Sequence, residues 1–148
     1  MSVQLPLFNQ RWRLRRESYR PAGEPINPRL YEVAELAGDR ESKAFILTHH
    51  YSASYPSARF RFGLFTGGEL VGVAIFSHPC NDRVLTSVFP VSALESVELG
   101  RFVLLDTVPA NGESWFLDIL ESATKRLRRP SSDEPNREPY TSSPTAQC

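Results

Sequence analysis

The stretch Leu99 to Val108 is largely apolar, Pro109 interrupts it, and Glu113 to Leu127 carries apolar residues at helical spacing. This order predicts a buried strand, a turn in which Asn111-Gly112 adopts positive φ, and a helix. Upstream, Leu30 to Leu36 alternates as a strand does, after an entry broken by Pro21, Pro25 and Pro28. Asp39 stands where a cap accepts from first-turn amides, at the head of a helix from Arg40 to about His49 with Ala44, Phe45 and Leu47 facing inward. Ala58 to Phe65 and Leu70 to Ser77 read as a hairpin, and Thr66-Gly67-Gly68-Glu69 between them supplies the positive φ of a tight turn. Residues 81–96 form a mixed connection with a short strand around Val84 to Val88.

Beyond Leu127 the pattern stops. The tail at 129–148 is rich in proline, serine and threonine, has no periodic apolar positions, and cannot bury enough surface to offset its ordering entropy, so disorder is expected there. A strand and helix ending the ordered part would leave a new parallel edge uncovered. The pattern therefore implies either a missing second half, from a premature stop or a shifted frame, or a small self-contained domain with a natural tail.

Composition narrows this picture to one α/β (α+β) domain at 30–128, behind a basic arm at 1–29: 148 residues, 41% hydrophobic, are too few for two ordinary cores. Neither a secretory signal nor a bilayer-spanning stretch is legible, so the expected location is cytoplasmic, with no membrane partner. Cys80 and Cys148 lack the spacing of a metal clip or a disulfide framework and are expected to be reduced thiols.

The formal charge is zero, yet Arg11, Arg13, Arg15, Arg16 and Arg20 crowd one segment with Trp12 and Tyr19. That mixture suits phosphate contacts and base stacking, as in a nucleic-acid arm. Equally, it describes a solvated strand whose Trp12 and Leu14 pack inward while the arginines face water.

Candidate chemistry falls in two places. A helix start leaves backbone N–H groups unpaired and favours anions through its dipole, so Leu105, Val108, Ala110, Asn111, Gly112, Glu113 and Ser114 form a candidate diphosphate turn, or an ordinary strand-to-helix connection. The loop His49-His50-Tyr51-Ser52-Ala53-Ser54-Tyr55-Pro56 is polar and aromatic. There His49 and His50 are acid/base candidates that could take a proton from an acceptor amine, or with Tyr51 or Ser52 position the acceptor. Alternatively one histidine caps the helix and the other packs beneath Tyr55. Asp106 marks either a groove or a turn. A metal would have to draw on His49, His50, His78, Cys80 and Asp82, and adjacent histidines do not easily face one ion, so no metal is expected. Arg59, Arg61 and Arg101 alternate with apolar neighbours, either as a phosphate-gripping row or as a solvated face. Trp115 and Phe116 are expected to pack on the sheet.

The order strand, helix, hairpin, strand, turn, helix resembles the first part of the GNAT acyltransferase fold. More specifically, His49-His50-Tyr51-Ser52, Ser54 to Leu64, Leu70 to Ser77 and Glu98 to Asp106 resemble the Mom-type proteins of phages and mobile elements, over about Tyr31 to Leu127. The resemblance implies a GNAT-like, mainly antiparallel sheet with flanking helices and an incomplete second half. It implies modification of adenine in DNA against restriction, with acetyl-CoA or another acyl-CoA as cofactor at the 105–114 turn and the acceptor at the His49–Tyr55 loop. Asp106 joins His49, His50, Tyr51 and Ser52 as catalytic candidates, and Arg11, Arg13, Arg15, Arg16, Arg59 and Arg61 are the expected DNA contacts. The turn carries one glycine where that fold keeps a spaced pair or triplet. A generic N-acyltransferase of a small amine or protein, and a non-catalytic DNA-binding remnant, are the alternatives; the oligomeric state is open.

Overall fold

A computed structural model of the chain describes residues 8–79 and 97–127. Its centre is a four-stranded sheet made of β3 (Tyr31–Glu35), β4 (Ala58–Thr66), β5 (Glu69–Ser77) and β6 (Glu98–Leu104), in that spatial order, with every pair antiparallel. A separate ribbon pairs β1 (Phe8–Arg13) with β2 (Arg16–Pro21). Helices α1 (Asp39–His49) and α2 (Gly112–Leu127) complete a mixed α+β fold. The expected strand around Val84 to Val88, together with Cys80, Asp82, Cys148 and the tail at 129–148, lies outside the described residues. Among the described residues no helix is long and apolar enough to cross a membrane.

The β4–β5 hairpin forms where its glycines require it. Gly67 and Gly68 have φ of 56° and 80°, the left-handed pair that matches the twist of the flanking strands. Register then decides faces. Arg61, Ile75 and Arg101 lie on one cross-strand row, and the next row is Phe62, Ala74 and Phe102. Successive residues point to opposite sides of a sheet, so the Arg61 row faces Asp39 of α1 while Phe102 faces Phe116 of α2, at 5.6 Å between rings. The core follows: Ile46, Leu64, Val73, Ile75, Val103, Val108, Phe116 and Leu120 expose essentially nothing. Trp115 packs partly buried beside Phe116, as expected of both.

Three local expectations are corrected. Gly38, not Asp39, is the N-cap of α1; the Asp39 carboxylate instead accepts from Tyr55 Oη at 2.9 Å and from Arg61 Nε. The inward residues of α1 are Ser42, Phe45 and Ile46, while Leu47 is 38% exposed, because the helix packs along one narrow stripe. Finally β6 joins β5 antiparallel rather than making a parallel edge, and beyond its end Trp12 bridges Leu105. The ribbon thus begins to cover the edge that the sequence pattern leaves bare.

Candidate functional site

The end of α1 and the loop behind it bring together four of the catalytic candidates. His49 ends the helix, His50 follows in extended conformation, and the His50 N–H donates back to Ile46 O at 2.9 Å. The His50 ring is buried and lies 4.4 Å from the Tyr51 ring; Trp12 of β1 lies 5.3 Å from Tyr51 and 6.2 Å from His50. Tyr51 is the outer member of this cluster, 63% exposed. Ser52 Oγ meets Ser54 Oγ at 2.9 Å, and Arg101 donates to Ser54 Oγ at 2.6 Å. Tyr55 sits apart, tied to Ser42 and Asp39 rather than above a histidine.

Both imidazoles already have a hydrogen-bond task. The Leu14 N–H donates to His49 Nδ1 at 3.0 Å, and the Ser52 N–H donates to His50 Nδ1 at 3.0 Å. A nitrogen that accepts from an amide carries a lone pair, which puts the ring proton of a neutral His49 on Nε2; His50 Nδ1 also lies 3.3 Å from the Ser52 carbonyl, so either nitrogen of that ring can carry the proton. Burial, then Arg13, hold the His49 pKa below the usual histidine value, opposed by Asp106; burial is also the main cause of the depression at His50. Near neutral pH the two rings are therefore uncharged, and Nδ1 of each is engaged by the backbone. Neither histidine caps helix carbonyls through its side chain, and His50 packs against Trp12 and Tyr51.

The ribbon supplies residues that the sequence places in a basic arm, read either as a nucleic-acid arm or as a solvated strand. At its tip Leu14 and Arg15 adopt φ of 49° and 66°, a left-handed pair without glycine. Such a conformation costs roughly 1–2 kcal/mol per residue for an L side chain. His49 holds it in place, its ring accepting from Leu14 N and its carbonyl from Arg15 N at 3.1 Å. Leu14 is 64% exposed, against the expectation that it packs inward, because the turn throws its side chain outward. Arg13 pairs with Asp106 at 2.7 Å, and Arg20 pairs with Glu24 and donates to the Asp106 carbonyl. Arg15 and Arg16 are exposed and unpaired among the described residues.

Arg11 behaves differently from any expectation of a solvated or DNA-facing arginine: it has no exposed surface. Its guanidinium donates to the carbonyls of Val108 (3.3 Å), Pro109 (2.7 Å) and Ala110 (3.2 Å) and meets Glu113 at 2.7 Å. Asn9 also donates to the Ala110 carbonyl. On the other side the Asn111 N–H donates to Glu24 O at 3.2 Å, Asn111 Oδ1 accepts from Ile26 N at 2.6 Å, and the Gly112 N–H goes to Pro109 O at 2.9 Å. Residues 9–26 clasp the turn.

This changes the meaning of the 105–114 segment. Leu105, Val108, Ala110 and Gly112 are buried, Glu113 is half-buried, and Asn111 and Ser114 are exposed. Gly112 is not at positive φ. A Cβ there would collide with Val108 Cγ1, so the glycine permits close packing rather than an unusual turn. A diphosphate needs open space and unsatisfied donors. Here the space holds Arg11, three carbonyls converge on it, and a carboxylate lies at the helix start. In this conformation the turn does not fit an acyl-CoA diphosphate.

Of the remaining arginines, Arg59 is exposed and lies 5.9 Å over the Phe60 ring. Arg61 is taken by Asp39 and Ala58 O, and Arg101 by Ser54 and Gly100 O. The row of Arg61 and Arg101 exists, but it grips the protein's own Asp39, Ser54 and Ala58. Among the described residues no three His, Cys, Asp or Glu side chains converge as metal ligands. A cavity of about 410 Å³ lies at the other end of the sheet, lined by Arg29, Tyr31, Glu32, Phe65 and Gly68, away from the histidines.

Trp12 is the site residue that pattern reading did not place beside the histidines. Its alternation in β1 was legible; its partners, nearly 40 positions away, were not. Among known proteins, no curated protein and no solved structure matches the chain. The Mom protein family model does match, over residues 31–132, a span that contains the whole sheet, both helices and the His49–Tyr55 loop. With about two-thirds of its length matched, the chain belongs to the Mom protein family and is a Mom-like DNA modification protein.

Proposed function

We propose that the protein modifies adenine in DNA, as a GNAT-type transferase, at the loop formed by His49, His50, Tyr51 and Ser52. The carrying observation is that this loop, inside the family-matched stretch, presents an exposed aromatic ring beside two neutral imidazoles. Their roles follow from the hydrogen bonds. With its Nδ1 lone pair engaged by Leu14 N–H, the His49 ring has Nε2–H to donate to an acceptor nitrogen of a purine, which orients the base without removing a proton. Arg13 and Asp106, paired at 2.7 Å, border the His49 side and set its electrostatic surroundings.

Acyl-CoA as the group donor rests on the GNAT resemblance. When bound it would supply the acyl group and a leaving thiol. Because Arg11 fills the 108–113 turn, a cofactor would have to lie elsewhere or follow release of the β1–β2 clasp. A second reading, DNA binding without chemistry, is favoured by that filled turn and by the two engaged Nδ1 atoms.

Mass spectrometry of nucleosides from cells expressing the chain separates these readings. An adenosine derivative that vanishes in a His50→Ala variant is the expected result; an unmodified pool supports the binding role. Calorimetry with acetyl-CoA tests the donor, and absence of heat removes acyl-CoA from the proposal.

A further inference from the structure

We infer that the Trp12–His50–Tyr51 cluster is a stacking platform for one unpaired DNA base, with Arg15 and Arg16 at the ribbon tip holding the phosphates on either side of it. This rests on the DNA-modification reading and adds the form of substrate and residues that lie ahead of the family-matched region at 31–132.

The geometry carries it in three steps. Tyr51 rests on two rings, at 4.4 Å and 5.3 Å between centroids, and still exposes 63% of its surface. An aromatic ring already backed on one side loses little freedom when a second π face is added, and each base–aromatic contact strengthens binding several-fold to about a hundredfold. Next, the ribbon tip is bonded to this same loop through Leu14 N and Arg15 N to His49, so the tip that carries the exposed Arg15 and Arg16 is anchored two residues from Tyr51. Strained left-handed residues held by surrounding structure are a feature of ligand clamps. Third, the other arginines of the ribbon, Arg11, Arg13 and Arg20, are spent on internal partners. The tip pair is the cationic part that remains for a polyanion.

A base inside a duplex has both faces covered by its neighbours. The occupant of this platform is therefore a base in single-stranded DNA or one turned out of a helix. A flat apolar partner would not need the flanking guanidiniums, whose value lies in counterion release from phosphates.

The test uses the full chain, which has two tryptophans. In a Trp115→Phe variant, Trp12 reports alone. Titration with a single-stranded oligodeoxyadenylate should quench Trp12 fluorescence, and a blunt duplex of equal length should not. In parallel, anisotropy of the labelled single strand on the chain with both tryptophans should show about tenfold weaker binding for Tyr51→Ala, near-normal binding for Tyr51→Phe, and a salt slope smaller by roughly 1–1.5 for Arg15→Gln with Arg16→Gln. Tyr51 is exposed, so its truncation leaves the core intact. Equal affinity for duplex and single strand, or an unaffected Tyr51→Ala, overturns the platform. If no oligonucleotide binds, the platform also falls, while the nucleoside mass spectrum still judges the modification reading on its own.

Discussion

The Arg11 guanidinium meets the Glu113 carboxylate at 2.7 Å, and Arg11 has no surface left in water. Burial lowers its pKa and the nearby Glu113 offsets only part of that, yet an arginine remains charged under any ordinary condition. The pair therefore joins β1 to α2 by a desolvated cation that needs every one of its partners.

Removing that cation should cost the fold more than removing its counterion. Arg11→Ala takes one donor from each of three turn carbonyls, of which Pro109 and Ala110 keep Gly112 N–H and Asn9, and leaves a half-buried carboxylate without its partner; breaking a buried pair typically costs about 3–5 kcal/mol. Glu113→Gln keeps a neutral acceptor and should cost roughly 1–3 kcal/mol. Urea unfolding monitored by circular dichroism measures both; an Arg11→Ala loss below that of Glu113→Gln would contradict the clasp.

The ribbon tip should separate stability from binding. Arg15→Gly relieves a left-handed φ of 66° and should raise stability by about 1 kcal/mol, provided the His49 carbonyl keeps its amide donor. The same substitution removes a tip cation, so DNA affinity should fall as thermal stability rises. Parallel melting and anisotropy measurements check the opposite signs.

Acid should weaken the fold in two stages. For His49 and His50 the folded pKa lies below the ordinary 6.5, so the unfolded chain binds more protons as pH drops past that value. Their contribution is complete above pH 6.5 and is lost on descent toward the folded pKa. Carboxylates held low by partners, Glu24 by Arg20 and Asp39 by Arg61, lose theirs only below about pH 4.5, near their unfolded values. A stability–pH profile should flatten in its upper stage for His50→Gln, with the lower stage unchanged.

In the sheet, Gly72 is the position least able to accept a side chain. A Cβ there would strike Leu104 Cδ2 and lie 3.2 Å from Leu64 Cβ and 3.3 Å from the Val103 carbonyl. Gly72→Ala should therefore destabilise by about 1–3 kcal/mol, as overpacked cores do, and calorimetric melting measures it.

Elements held together by neighbours in the chain were legible in advance. The β4–β5 hairpin follows from two strand-like runs around Gly67-Gly68, α1 from its spacing, and α2 with Phe116 inward from the periodicity after Pro109. Such signals are local, because a turn or an amphipathic stripe is decided within a few residues. The loop at His49 to Ser52 was likewise recognisable by residue type. Its hydrogen bonds were not, since Leu14 and Trp12 come from another element.

By itself, then, the sequence determined the fold class, the hairpin, the two helices and the family to which residues 31–132 belong. Only the tertiary structure decided that the basic segment at the N-terminus is a clasp, that a would-be anion turn holds an arginine instead, and that Tyr51 stacks on Trp12. Arg11 and Glu113 stand 102 positions apart. Periodicity cannot report a pairing at that distance, because what selects it is the desolvation of a charge once the chain has closed around it.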